Sequence, residues 1–125
     1  MEESHLRLVD GAAGAGGSFA IANDVIAQIV GLSVLECYGV VGMASSRLSQ
    51  GVARLLSRDR LGQGVTVRRD LDGLAIELYI VVEYGLNLAE VAANVRSRVQ
   101  YQVEMQTQLP VHSLQIHIQG VKRTR

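Results

Sequence analysis

The segment GVTVRRDLDGLAIELYI, residues 64–80, decides the fold because it joins a turn signal to two alternating apolar segments. Asp72-Gly73 at the centre of a two-residue turn favours a type I′ β-hairpin, in which both turn residues need positive φ. In that register Val67 lies opposite Leu78 on one face. The apolar alternation agrees with the turn, so the sequence predicts two antiparallel strands that share one apolar face.

The opposite face of the predicted hairpin is polar and is a candidate interaction surface. The register places Arg68 against Glu77 and Thr66 against Tyr79. A cross-strand pair of opposite charge contributes a few tenths of a kcal/mol, up to about 1 kcal/mol. A later alternating strand carries His117 in its outward row, and we expect this side chain to join the same surface.

Two long helices are predicted on either side of the hairpin. Apolar side chains of residues 24–36 cover more than half of a helical wheel, so this helix is buried on most sides, and Asn23 is placed to cap it. Asn87 caps a second helix that has one apolar stripe, and Pro110 excludes its continuation. The alternating segment 114–119 then forms the last strand.

This order of elements predicts an α+β fold. We expect a two-layer sandwich, in which a mixed sheet of three or four strands carries the two longer helices on one face, with a short extra helix. If the last two strands share a sheet, the helix between them makes a right-handed crossover and sets them parallel. The other face of the sheet then presents the polar row.

The short extra helix is predicted over residues 46–57 and carries a stripe of arginines. Arg47, Arg54 and Arg58 are spaced i, i+7 and i+11, which places them within about 40° of one another on a helix. One interpretation is a solvated flank beside the apolar face. The other is a docking edge for acidic lipid headgroups or for an acidic partner.

The chain length fits one domain with unstructured ends. The Gly/Ala-rich residues 10–18 lack nucleotide-loop spacing and are interpreted as a linker, and residues 1–9 as a tail or an extra strand. We therefore assign residues 1–17 to a flexible tail and linker, 18–121 to a single domain, and 122–125 to a basic tail.

The charge is balanced overall but unevenly distributed. The chain has 12 basic and 12 acidic residues, which argues against a general polyanion binder. Residues 47–69 contain six arginines and one acidic residue, whereas residues 70–90 contain five acidic residues and no basic one. Segments of opposite sign can support self-assembly through complementary patches.

No sequence motif indicates catalysis, and we expect no enzyme activity, no cofactor and no metal. Cys37 is the only cysteine, and the three histidines show no ligand spacing on a helix. The apolar stretch 25–44 is interrupted by Gln28 and Glu36, so we expect no transmembrane segment and a cytoplasmic protein.

Several short stretches in this order resemble the alkaline-shock protein family, the envelope stress-response proteins of Gram-positive bacteria. The resemblance covers about residues 17–121. It departs at the first helix, where the family commonly has Ser-Pro-Glu and this chain has Ala22-Asn23-Asp24. The matching stretches are Ile21-Ala22-Asn23-Asp24-Val25-Ile26, Gly39-Val40-Val41-Gly42-Met43, Gly51-Val52-Ala53-Arg54-Leu55-Leu56 with Gly64-Val65, Tyr79-Ile80-Val81-Val82-Glu83-Tyr84-Gly85, and residues 111–121 ending in Gln119-Gly120-Val121.

The resemblance implies a non-enzymatic scaffold or interaction protein in the envelope stress response. Such a protein docks to a membrane-anchored partner, is recruited to the inner face of the cell membrane and forms homo-oligomers. Two alternatives remain at this point: a nucleic-acid-binding α+β module, suggested by the clustered arginines, and a regulator of a cytoplasmic enzyme such as one of lipid synthesis. Neither a small-molecule substrate nor a nucleic-acid partner is the leading expectation.

Overall fold

The computed structural model describes residues 6–10, 18–45 and 55–124. These residues form two helices, a short 3-10 segment and six strands. Helices and strands are mixed along the chain, as expected for an α+β fold. The elements are β1 Leu6–Asp10, β2 Ser18–Ala22, α1 Asn23–Leu35, β3 Val40–Met43, the 3-10 segment Arg58–Gly64, β4 Val65–Asp70, β5 Gly73–Glu83, α2 Leu88–Thr107 and β6 Val111–Lys122.

The long strand β5 is the centre of the main sheet. One edge of β5 pairs with β6 in parallel along most of its length. Its other partners are antiparallel: β4 pairs with residues 73–78 and β3 with residues 80–82. The predicted mixed sheet is confirmed with four strands, and so is the parallel arrangement of the last two strands.

The hairpin β4–β5 forms, but its predicted register is wrong by two residues. Asp70 pairs with Gly73, so the two turn residues are Leu71 and Asp72 instead of Asp72 and Gly73. Neither turn residue has positive φ, and only Gly73 does, at +125°. The Asp70 carboxylate accepts a hydrogen bond from the Asp72 N–H at 2.9 Å, which stabilises this turn.

The shift changes the cross-strand partners and leaves the faces unchanged, because the side-chain period of a strand is two. Val67 now lies opposite Ile76, and Arg68 lies opposite Ala75 instead of Glu77. The predicted Arg68–Glu77 cross-strand pair is therefore not formed directly. Leu71, expected on the apolar face, lies in the turn and is fully exposed.

Both long helices cover one face of the sheet, as predicted. α1 contacts β3 and β4, and α2 contacts β6 and packs against α1. The alternate residues of β5 that face the helices are nearly inaccessible, and so is one stripe of each helix. The side chains that share this core include Ile26, Val30, Val34, Leu74, Ile76, Leu78, Ile80, Val82, Val91, Val95, Val99 and Val103.

The two helix starts differ. Asn87 caps α2 as predicted, because its Oδ1 accepts a hydrogen bond from the Glu90 N–H at 3.1 Å. The expected cap at Asn23 is wrong: Ala22 is the capping residue of α1 and makes no side-chain bond. The Asn23 side chain instead donates to the Val67 carbonyl oxygen at 3.4 Å.

The segment between β3 and β4 differs from its prediction where it is described. Residues 46–54 lie outside the described residues. Leu55 forms an isolated bridge to Ala44, and the Leu56 N–H donates to the Met43 carbonyl oxygen at 2.8 Å. The expected helix therefore does not extend to Ser57, whose backbone is extended, and a 3-10 segment follows it.

The N-terminal residues include a strand, one of the two alternatives considered for residues 1–9. β1 pairs antiparallel with β2 in a separate two-stranded sheet. The linker residues 11–17 between these strands lie outside the described residues. At the other end, β6 reaches Lys122, one residue beyond the predicted boundary of the domain.

Candidate interaction surface on the open face of the sheet

The face of the sheet turned away from α1 and α2 carries the polar row that the sequence predicts. We call this face the open face. At its centre the rings of Tyr79 on β5 and His117 on β6 stack, with centroids 4.6 Å apart and planes 11° from parallel. The stack follows from the parallel pairing of the two strands, which places these residues side by side.

A hydrogen bond joins the stack to a carboxylate on the same strand. The Tyr79 hydroxyl donates to Oε1 of Glu77 at 3.1 Å. Burial raises the pKa of Tyr79, and the hydrogen bond to Glu77 raises it further. The phenol therefore remains a donor, and the three side chains form one ordered, half-buried group.

Thr66 and Arg68 on β4 present exposed side chains beside this group. No hydrogen bond or ion pair joins Arg68 to another residue in the described part of the chain, so its guanidinium keeps its donors for a partner. The open face thus combines an aromatic stack, a carboxylate and an exposed guanidinium. Four of the predicted surface residues are brought together here: Arg68, Glu77, Tyr79 and His117.

The predicted arginine stripe does not have the geometry expected for one helix. Arg47 and Arg54 lie outside the described residues. Arg58 begins the 3-10 segment and is exposed. Because Ser57 before it has an extended backbone, with ψ of 165°, Arg58 cannot continue a helical row from Arg54. The i, i+7, i+11 interpretation is therefore wrong at Arg58.

The sequence analysis missed a buried role for Arg69. Its Nε donates to Asn23 Oδ1 at 2.6 Å, and its Nη2 donates to the Ile21 carbonyl oxygen. These bonds tie β4 to the junction of β2 and α1. The only sequence signal was the position of a charged residue on the apolar side of the hairpin.

The basic C-terminal end contacts the sheet. The Arg123 guanidinium lies over the Tyr84 ring, 4.6 Å from its centroid, in a cation–π contact. Thr124 donates to a carboxylate oxygen of Glu83 at 3.0 Å. Both contacts lie at the end where β5 leaves the sheet, so the described part of the basic end is tethered there.

A shallow cleft lies between the first turn of α1 and the 3-10 segment. It has a volume of about 270 Å³ and is lined by both signs of charge. A hydrogen bond from the Ser57 hydroxyl lowers the pKa of Asp59 at its rim. The lining side chains include Asp24, Gln28, Asp59, Arg60 and Gln63.

Cys37 lies beyond the end of α1, half-buried against the core. Burial raises the pKa of its thiol, which therefore stays protonated near neutral pH. In the described residues, no cluster of three or more His, Cys, Asp or Glu side chains could hold a metal ion. Among the described helices, none is both long and apolar enough to cross a bilayer.

A protein-family model matches nearly the whole chain. The model of the alkaline-shock protein family, described as having a cell envelope-related function, matches residues 12–123. The match includes every strand of the main sheet and both helices.

Curated relatives support the same grouping. The YloU protein of Bacillus subtilis is 39% identical over 109 residues, covering 86% of this chain and 91% of the relative. The Spy1614 protein of Streptococcus pyogenes is 35% identical over 107 residues, covering 85% of this chain and 88% of the relative. A stress response regulator gls24 homolog of Streptococcus pyogenes is 24% identical, and the match spans 59% of that longer protein.

Solved structures show a weaker likeness. The structure named MamM CTD H264E has a TM-score of 0.49 at 12% identity and covers 80% of this chain and 96% of its own. The structure named MamM CTD D249N, nickel form, has a TM-score of 0.47 at 12% identity, covering 82% and 99%.

Proposed function

The chain belongs to the alkaline-shock protein family, whose function is related to the cell envelope, and from this we propose that it is a non-enzymatic scaffold or interaction protein of the envelope stress response. It docks to a membrane-anchored partner protein from the cytoplasmic side of the membrane. Copies of the chain self-associate, so that one partner gathers several of them.

The open face of the sheet carries this proposal. Aromatic residues and arginine are enriched in protein–protein interfaces and in the few positions that dominate binding energy. Here the Tyr79–His117 stack is already ordered by its hydrogen bond to Glu77. An ordered surface loses little side-chain entropy on binding, which favours affinity.

Arg68 gives the proposed partner site a chemical preference. Its exposed guanidinium fits a carboxylate on the partner, because it can donate two parallel hydrogen bonds. We therefore propose that the partner segment carries an acidic residue near an apolar or aromatic one. A protein segment fits this mixed face better than a lipid surface, since Glu77 would repel anionic headgroups.

The raised pKa of Tyr79 supports a binding role for this group. A phenol that stays protonated at neutral pH is a hydrogen-bond donor and a poor general base. We accordingly assign Tyr79 and His117 to recognition and assign no reaction to the open face.

A pull-down from detergent-solubilised cells, with and without envelope stress, tests the proposal. We expect the tagged chain to recover an integral membrane protein, and Arg68→Glu and Tyr79→Ala to lose it. Tyr101→Ala is the matched control, because Tyr101 is an exposed tyrosine on α2, 62% accessible and away from the open face. Recovery of RNA, or of soluble enzymes alone, would contradict the proposal.

A further inference from the structure

The strand β6 forms one edge of the main sheet. It pairs with β5 on one side, and no described strand pairs with its other side. At 12 residues it is the longest strand of the sheet. Edge strands expose rows of unpaired backbone N–H and C=O groups and are natural sites for strand addition.

Two side chains of α2 occupy the beginning of this edge. A carboxylate oxygen of Glu104 accepts a hydrogen bond from the Val111 N–H at 2.8 Å. Arg96 Nη1 donates to the Leu114 carbonyl oxygen at 2.7 Å. The Arg96 bond shows that the backbone groups of Leu114 point away from β5.

Beyond Leu114 the edge has no such cover among the described residues. The pairing with β5 continues without a break to Ile118, so the backbone groups of Ile116 and Ile118 also point outward. Their side chains face the helix layer and are half-buried, whereas their neighbours Leu78 and Ile80 on β5 are fully buried. An added strand would cover this remaining apolar surface.

The exposed edge also lacks the usual protection against pairing. Residues 114–120, with the sequence LQIHIQG, contain no Asp, Glu, Lys, Arg or Pro. Natural edge strands are commonly protected by charged side chains or by proline. The residues that would discourage pairing are absent from the part of the edge that α2 leaves open.

We propose that the outer edge of β6 pairs antiparallel with β6 of a second copy, around a two-fold axis at Ile116. This proposal rests on the self-association included in the proposed function and names its interface. Ile116 then faces the partner's Ile116, and Leu114 faces the partner's Ile118. The arrangement joins two sheets into one continuous sheet with about six new backbone hydrogen bonds.

Charge favours a second copy as the occupant. In the antiparallel register, Gln115 faces the partner's His117 and His112 faces the partner's Gly120, so no like charges meet. The row is uncharged and self-complementary, as a two-fold interface requires. The open face stays on one side of the joined sheets, so a dimer presents two copies of the docking surface.

A charge-swap experiment at Ile116 tests this pairing. Alone, Ile116→Lys and Ile116→Glu each place two like charges directly opposite each other, and we expect both to sediment with the mass of one chain. Mixed in equal amounts, they should restore a species of twice that mass, as for the unmodified chain. Thr66→Lys, on the exposed face of β4, is the matched control and should leave the dimer intact.

The outcomes separate the interface from self-association itself. A wild-type chain that stays monomeric at all concentrations would contradict both. A wild-type dimer that both charged variants retain would contradict the β6 interface only. If the variants fail to fold, amide hydrogen exchange of the wild-type chain decides: the Ile116 and Ile118 N–H groups should become protected as concentration rises, and unchanged exchange would overturn the proposal.

Discussion

Gly73 is the residue at which the hairpin turn meets the connection from α2 to β6. Its φ is +125°, and a Cβ atom there would lie 2.3 Å from the Pro110 carbonyl oxygen. That same carbonyl accepts a hydrogen bond from the Leu74 N–H at 2.8 Å. The turn and the start of the parallel pairing therefore depend on the absence of a side chain at one position.

We expect Gly73→Ala to lower the free energy of unfolding by about 2 kcal/mol or more, from backbone strain and the clash with Pro110. Gly85→Ala is the control, because Gly85 also has positive φ, +97°, but a Cβ there meets no atom within 4 Å. Urea unfolding of both variants separates strain from the clash. Equal losses would contradict the role given to Pro110.

Asp70 makes stability depend on pH in the acid range. The Asp72 N–H, and then His112, lower the pKa of this carboxyl below its ordinary value of 3.8. A depressed folded-state pKa contributes stability above the unfolded pKa, and the contribution is lost as pH falls through the folded value. Asp70→Asn should therefore reduce stability at pH 7 and reduce its loss on acidification from about pH 5 to about pH 2.

Urea midpoints measured across that pH range provide the comparison. His112 Nε2 lies 2.8 Å from Asp70 Oδ2 in an exposed contact, so added salt should weaken this part of the effect. An acid limb identical in the wild-type chain and Asp70→Asn would show that Asp70 titrates with the same pKa in both states.

At the scale of elements, the two asparagines predicted as caps show what local sequence can and cannot specify. Asn87 caps α2 because only local backbone groups compete for its side chain. Asn23 is drawn away by Arg69 and by the Val67 carbonyl oxygen, both more than 40 residues along the chain. A contact at that separation leaves no signal in the local pattern.

Asn87→Ala should destabilise the chain by about 1 kcal/mol, because the Glu90 N–H loses its acceptor. Asn87→Asp keeps an acceptor oxygen and should restore most of that stability. Thermal or urea unfolding measures both variants. A loss equal in the two would mean that the Asn87 amide, and not the cap, is what matters.

The hairpin shows the same limit of prediction. Alternation fixed which residues of β4 and β5 share a face, because that property survives a shift of two residues. It did not fix the partners, because the Asp70 carboxylate and the Pro110 contact favour a turn at Leu71-Asp72. The open-face residues were thus identified correctly while the Arg68–Glu77 pairing was not.

At the scale of the whole molecule, apolar periodicity predicted the layers and the parallel pairing of β5 with β6. It did not predict that β4 and β3 divide one edge of β5 between them. Their meeting point is held by a backbone approach, since a Cβ on Gly64 would lie 2.5 Å from the Ala44 carbonyl oxygen. Such close packing follows from tertiary structure and has no period in the sequence.

The balanced charge of the whole chain predicts weak binding to nucleic acid. The open face offers few aromatic rings for base stacking, and its Glu77 would repel phosphates. We expect single-stranded RNA, titrated at low salt and followed by fluorescence anisotropy, to show no binding. Binding that weakens steeply with added salt would instead favour a nucleic-acid module.

Photo-crosslinking from the open face in living cells tests the central claim most directly. A photoreactive amino acid placed at Arg68 should crosslink, under envelope stress, to an integral membrane protein. The same group placed at Tyr101 on α2 should not crosslink to that protein. Equal crosslinking from both positions, or crosslinks from position 68 to RNA or soluble proteins alone, would contradict docking through the open face.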